Sequence, residues 1–206
     1  MLESPLPPLT SKYHGNADLL FTVNPVHNLC ASTGTTKVVQ IFSASNLDRS
    51  TNSNTNSNIV AQLIPSGTGE VNKMAWDPRG DYLAFWAIGK TNGVEIWERA
   101  SNRQTVVEFK GVVSYLGFSS DSKYLAIGSN QAKLTLIDMS GSGTEQRLVL
   151  ANNINNSRKS KFGNVVSVTF SNSGTVVWAG DNGGLFLHRL GLPGIVDLGG
   201  TGGELK

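Results

Sequence analysis

Charge is scarce in this chain of 206 residues. Asp, Glu, Lys and Arg together supply 16% of it, and 17 basic against 15 acidic residues leave a formal net charge of +2. So even a balance gives no strongly basic face of the kind that holds nucleic-acid phosphates. There is one cysteine, Cys30, which excludes an intrachain disulfide and fits a reducing compartment. Its place on an expected strand favours a buried structural thiol over a reactive one. No run of about 18 apolar residues is present, so no membrane span is expected. The first residues, Met1 to Leu9, have neither the basic start nor the apolar core of a signal peptide. An intracellular protein, cytoplasmic or nuclear, is the expectation. No stretch keeps a helical period over three turns.

What the chain has is a phrase that returns. Val71-Asn72-Lys73-Met74-Ala75-Trp76-Asp77-Pro78-Arg79-Gly80-Asp81-Tyr82-Leu83-Ala84 is followed by Val113-Ser114-Tyr115-Leu116-Gly117-Phe118-Ser119-Ser120-Asp121-Ser122-Lys123-Tyr124-Leu125-Ala126. A third copy runs from Val165 to Trp178, and a weaker one, from Leu19 to Ala31, precedes them all. A long-period repeat is one supersecondary unit copied and stacked. The anchors Val23, Trp76, Phe118 and Phe170 lie 53, 42 and 52 residues apart. The middle spacing matches the roughly 40–45 residues of a four-stranded propeller blade. Each longer one contains a polar tract, Ser50 to Asn58 or Asn152 to Ser160, that cannot bury apolar surface and reads as a solvated insertion.

Within each unit an alternating strand ends at the anchor and a turn follows: Asn24-Pro25, Asp77 to Gly80, Ser119 to Ser122, Ser171 to Gly174. These residue types supply fixed or positive φ and side-chain-to-backbone bonds. A second strand is expected from Cys30, Leu83, Leu125 and Val177, seven residues past each anchor. A third follows at 38–42, 94–97, 134–138 and 185–188. Outer strands are expected at Ile59–Ile64, Thr105–Phe109 and Arg147–Leu150. Short, evenly spaced strands with turn chemistry between them read as all-β.

The pattern resembles the WD-repeat family of β-propellers. Ala75-Trp76-Asp77-Pro78-Arg79-Gly80, Gly117-Phe118-Ser119-Ser120-Asp121, Thr169-Phe170-Ser171, Ile96-Trp97-Glu98 and Leu136-Ile137-Asp138 carry the resemblance. It implies an all-β propeller of about four four-stranded antiparallel blades over 17–190, forming a partial or incomplete ring. An extended Pro-rich lead-in occupies 1–16 and a Gly-rich tail 191–206. The repeats lack the family's Gly-His pair, and Thr36, Thr91, Gln131 and Asn182 stand where it has a turn Asp. The buried His–Asp network of typical members is therefore expected to be missing. Four units are few, and a piece of a larger propeller is favoured over completion by another chain or closure as four blades.

Candidate chemistry is thin. Ala84 to Thr91 imitates a phosphate-binding loop but lacks the first glycine and a following helix, so it reads as a β-turn. Gly117-Phe118-Ser119-Ser120-Asp121 lacks the closing glycine of a nucleophile elbow and sits between two strands. His14, His27 and His188 have no partners at metal-ligand spacing. His188 takes the strand position of Trp97 and Phe42, which fits packing. No catalytic residue, metal or cofactor is expected, and an enzyme reading ranks last.

The resemblance implies a non-catalytic scaffold that docks other proteins. Its expected contact surface is the turns after each first strand, with Asp77, Arg79, Asp121 and Asn172, together with Trp86. Trp86 stands where the aligned copies have Ser32, Gly128 and Gly180, so it either fills a wide channel or projects as an aromatic anchor of the kind enriched in hot spots. The alternative is an RNA- or chromatin-associated adaptor that touches phosphates through Arg158, Lys159 and Lys161. Self-association that completes a ring is a further expectation.

Overall fold

The computed structural model describes residues 20–33, 37–44, 59–89, 93–130, 133–140, 147–150, 164–181, 183–193 and 195–198. Among them lie strands and no α-helix, and none of the described segments is a helix long and apolar enough to cross a membrane. The first sheet runs β1 (Leu20–Val23), β2 (Leu29–Thr33), β3 (Val39–Ser43), β4 (Ile59–Leu63). The second runs β5 (Val71–Trp76), β6 (Tyr82–Ala87), β7 (Gly93–Glu98), β8 (Arg103–Glu108). The third is β9 (Val113–Phe118), β10 (Tyr124–Ser129), β11 (Leu134–Asp138), β12 (Arg147–Leu150). The fourth is β13 (Val165–Phe170), β14 (Thr175–Gly180), β15 (Leu185–Arg189), β16 (Val196–Asp197). Each is an antiparallel meander in chain order.

Each strand's alternation sends one set of side chains forward to the next sheet and the other set back to the previous one. Leu83, Phe85 and Trp97 face back and join Leu29, Ala31 and Ile41 in the core between the first two sheets. Ala84, Trp86 and Ile96 face forward and meet Leu125, Ile127 and Ile137. Ala126, Leu134 and Leu136 meet Val165, Val176, Trp178 and Phe186. Both faces of the middle sheets are thus buried, which is why β6 and β10 read as near-continuous apolar runs rather than alternating ones. Each large side chain so buried contributes about 1.5–3 kcal/mol. The first strands of neighbouring sheets lie side by side, β1 with β5, β5 with β9 and β9 with β13. β13 does not return to β1, so the arc is not a closed ring.

The structure corrects the alignment of the fourth unit. Asp77 N–H bonds to Tyr82 O and Ser119 N–H to Tyr124 O, but Ser171 N–H reaches Thr175 O. That turn is one residue shorter, so Val176, not Val177, lies opposite Phe170 as Leu83 lies opposite Trp76. The fourth sheet also takes its outer strand, β16, from within 191–206. Residues 1–16 and both polar tracts lie outside the described residues, as do Thr36, Thr91, Gln131 and Asn182.

Candidate functional site

The turns after the first strands share one end of the arc, and each is closed by its own leading side chain. Asp77 is fully buried and accepts from Tyr82 N–H at 2.7 Å and Arg79 N–H at 3.2 Å. Ser119 Oγ accepts from Tyr124 N–H at 2.9 Å, and Ser171 Oγ from Thr175 N–H at 3.0 Å. Asn24 Oδ1 accepts from Val26 and His27 N–H, both at 2.9 Å. In the last three units the fourth turn residue has positive φ: Gly80 at 75°, Ser122 at 60°, Gly174 at 76°. Turn chemistry of this kind is local, which is why it shows in the sequence.

Neighbouring turns then interlock, up to a point. Asn24 Nδ2 donates to Gly80 O at 2.9 Å, tying the first sheet to the second. Arg79 N–H donates to Ser122 Oγ at 3.3 Å, tying the second to the third. Asp81 adds an ion pair to Arg99 at 3.1 Å and lies 3.8 Å from His27 Nε2. Among the described residues no such bond joins the turn of the third sheet to that of the fourth. A cleft of about 160 Å³ opens between them instead. Asp121 and Lys123 stand on one wall, Ser171 and Asn172 on the other. Its floor includes Tyr124 and Phe170, whose rings lie nearly parallel (6°) with centroids 6.4 Å apart.

Asp121 is the charged centre of this cleft. The Ser119 hydroxyl donates to it at 2.6 Å and holds its carboxyl below the ordinary aspartate range. Slight burial opposes this, while the Lys123 amide at 3.1 Å and ammonium at 3.5 Å reinforce it. The group is a fixed anion with hydroxyls around it, suited to accept hydrogen bonds rather than to exchange a proton near neutrality.

Of the expected contact residues, Asp77, Arg79, Asp121 and Asn172 fall on equivalent turns of this end, and Asp121 and Asn172 share the cleft. Asp77 is buried beneath its turn, whereas Arg79 is exposed. Trp86 is only 2% exposed and lies in the core between the second and third sheets, so its ring fills neither a channel nor a surface position. The strand register puts Thr33, Gly128 and Ala179 at its place in the other sheets, not Ser32 and Gly180. Arg158, Lys159 and Lys161 lie outside the described residues. His188 is 5% exposed and pairs with Val176 as Trp97 pairs with Leu83.

Sequence reading missed Glu95. This carboxylate, 1% exposed, accepts from Ser66 N–H at 2.7 Å, from Ser66 Oγ at 3.1 Å and from the Gln104 amide. It pins the segment that crosses from the first sheet to the second. A charged residue inside an apolar strand, Gly93-Val94-Glu95-Ile96-Trp97, was the signal available. The Tyr124–Phe170 pair depends on how two sheets meet and had no local signal.

No protein-family model and no curated protein matches the chain. The fold is similar to that in a crystal structure of the RRP9 WD40 repeats, at 15% identity and a TM-score of 0.59, covering 86% of this chain and 49% of that one. It is also similar to the structure of U3-55K, at 15% identity and a TM-score of 0.57, covering 86% and 50%. The chain therefore spans about half the length of these solved structures. At this identity the likeness is one of fold, and together with the four meander sheets it makes the chain an open arc of WD-repeat-type propeller blades.

Proposed function

We propose that the chain is a non-catalytic scaffold or adaptor that docks other proteins on the end face built by its first turns. The observation that carries this reading is the cleft between the third and fourth sheets. It offers Asp121 and Asn172 as hydrogen-bonding groups above the Tyr124 and Phe170 rings. Rigid sheets hold such loops in place, and mixed aromatic and polar clefts favour peptide segments with one apolar side chain and flanking donors. Arg79 extends the same surface over the second sheet. The buried Cys30, whose thiol burial pushes up in pKa, fits work inside the cell, in cytoplasm or nucleus.

The test is selection of peptides on the wild-type chain from a displayed library, then affinity measurement with Tyr124→Ala, Asp121→Asn and Asn172→Ala. A tenfold or larger loss for Tyr124→Ala, about 1.4 kcal/mol, is expected if the cleft is the site. Peptides that bind all three variants as tightly as the wild type would place the contact elsewhere.

The alternative, an RNA- or chromatin-associated adaptor, rests on the sequence Arg158-Lys159-Ser160-Lys161. It requires binding to nucleic acid that weakens steeply with salt and disappears when these basic residues become Ser.

A further inference from the structure

We propose that the cleft between the third and fourth sheets takes an arginine side chain of the docked segment, its guanidinium paired with Asp121 and laid on the Tyr124 and Phe170 rings. This rests on the reading of the cleft as the docking site and names what the cleft recognises. Asp121 and Lys123 are the two charged residues in its lining, and they differ in how firmly they are held. Asp121 Oδ1 accepts from the Ser119 hydroxyl at 2.6 Å and from the Lys123 amide at 3.1 Å, so the carboxylate is fixed on its turn. The Lys123 ammonium ends a flexible stem. Its side chain is 59% exposed and reaches Asp121 Oδ2 at 3.5 Å. Exposed pairs of this kind contribute little, so a better-placed cation displaces the ammonium at small cost. The cleft thus presents a fixed anion with a movable counter-ion. An anionic occupant would meet a carboxylate that cannot swing away.

The rest of the lining selects arginine among cations. Tyr124 and Phe170, both partly buried, set two nearly parallel rings in the floor. Aromatic faces attract cations, and a planar guanidinium stacks on them where an ammonium acts as a point charge. The guanidinium also carries more N–H donors than one carboxylate oxygen can take. Ser120 and Asn172, exposed on the two walls, offer further acceptors. A leucine in the same place would bury apolar surface but bring no donor to either wall. Arginine has both parts, an apolar stem and a donor-rich head. The neighbouring junctions give a second reason. There a donor of the chain itself bridges adjacent turns, Asn24 Nδ2 to Gly80 O and Arg79 N–H to Ser122 Oγ. Among the described residues that bridge is missing between the third and fourth turns, and a guanidinium reaching from Asp121 towards Asn172 would supply it.

The test titrates capped tripeptides, acetyl-Gly-X-Gly-amide, into the nitrogen-15-labelled 206-residue chain. X is arginine, its neutral isostere citrulline, lysine or leucine, and the amide signals of Asp121, Tyr124 and Asn172 report binding. The arginine peptide should shift these signals and bind about tenfold more tightly than the citrulline peptide. The lysine peptide should fall between them. Asp121→Asn should bring arginine down to the citrulline level. Lys123→Gln, which removes the competing ammonium, should tighten arginine by about threefold. Circular dichroism checks that both variants fold, and the citrulline comparison leaves the protein unaltered. Equal affinities for arginine and citrulline overturn the proposal. So does an arginine peptide that shifts no cleft signal, or a Lys123→Gln chain that binds it more weakly. Peptides selected by display separate this inference from the docking reading. Arginine-free peptides that still lose affinity with Tyr124→Ala keep the cleft as the docking site and remove arginine from it. Peptides indifferent to all three cleft substitutions remove both.

Discussion

The Asn24 side chain donates to the Gly80 carbonyl at 2.9 Å across 56 residues of chain, and no side chain fits at Gly80 while it does so. A Cβ on Gly80 would lie 2.3 Å from Asn24 Oδ1, on a residue whose φ is +75°. Gly80→Ala is therefore expected to destabilise the fold by about 1–3 kcal/mol. Asn24→Ala, which strips acceptors from the Val26 and His27 amides, should cost about 1–3 kcal/mol. The double variant should lose less than the sum, since removing the Asn24 amide frees room for the new methyl. Urea unfolding of all four proteins measures this, and strict additivity would contradict the contact.

Gly128 tests how closely the third and fourth sheets approach. Its Cβ would lie 2.6 Å from Val165 Cβ and 3.0 Å from Tyr115 Cβ. Gly128→Ala should cost about 1–3 kcal/mol by overpacking. An unchanged urea midpoint would mean that the two sheets stand further apart.

Glu95 should behave as a structural clamp. Glu95→Ala leaves the Ser66 amide and the Gln104 side chain without their acceptor, at a cost of about 1–3 kcal/mol. Glu95→Gln should be nearly as damaging, because it sets an NH₂ among donors. Thermal melts, with hydrogen exchange at the Ser66 amide, read the effect. Faster exchange at Ser66 in both variants is expected.

Asp121 gives a pH dependence with a definite sign. Its folded pKa lies below the ordinary value, chiefly through the Ser119 hydroxyl. Its contribution is therefore present above the unfolded value of about 3.9 and is lost as pH falls through the folded one. The group is half-exposed, so the effect should be small and weaker in salt. Melting curves below about pH 5 should fall less steeply for Asp121→Asn than for the wild type. Parallel curves would remove the Ser119–Asp121 bond from consideration.

The fold was legible where local chemistry decides it. The anchors, the turns from Asp77, Ser119 and Ser171, and the outer strands at Ile59, Thr105 and Arg147 follow from alternation and turn residues, which neighbours in sequence specify. What stayed hidden depends on contacts between sheets. Trp86 looked out of place because the expected alternatives were a channel and a surface, whereas its ring occupies the core where Gly128 later lets Val165 close in. The fourth turn hid its missing residue because Ser171-Asn172-Ser173-Gly174 resembles the longer turns until the hydrogen bonds are counted. Of the end face, the turn residues were readable, but the cleft was not: it exists because the interlock seen at Gly80 and Ser122 is not repeated at the last junction.

Residue-resolved amide hydrogen exchange tests the stacked arc most directly. If four equivalent sheets pack face to face, the amides shared by β2 and β3, β6 and β7, β10 and β11, and β14 and β15 should be the slowest in each sheet. The middle two sheets, buried on both faces, should be slowest of all. Rapid exchange throughout β6 and β10, or protection confined to one or two sheets, would contradict the arrangement.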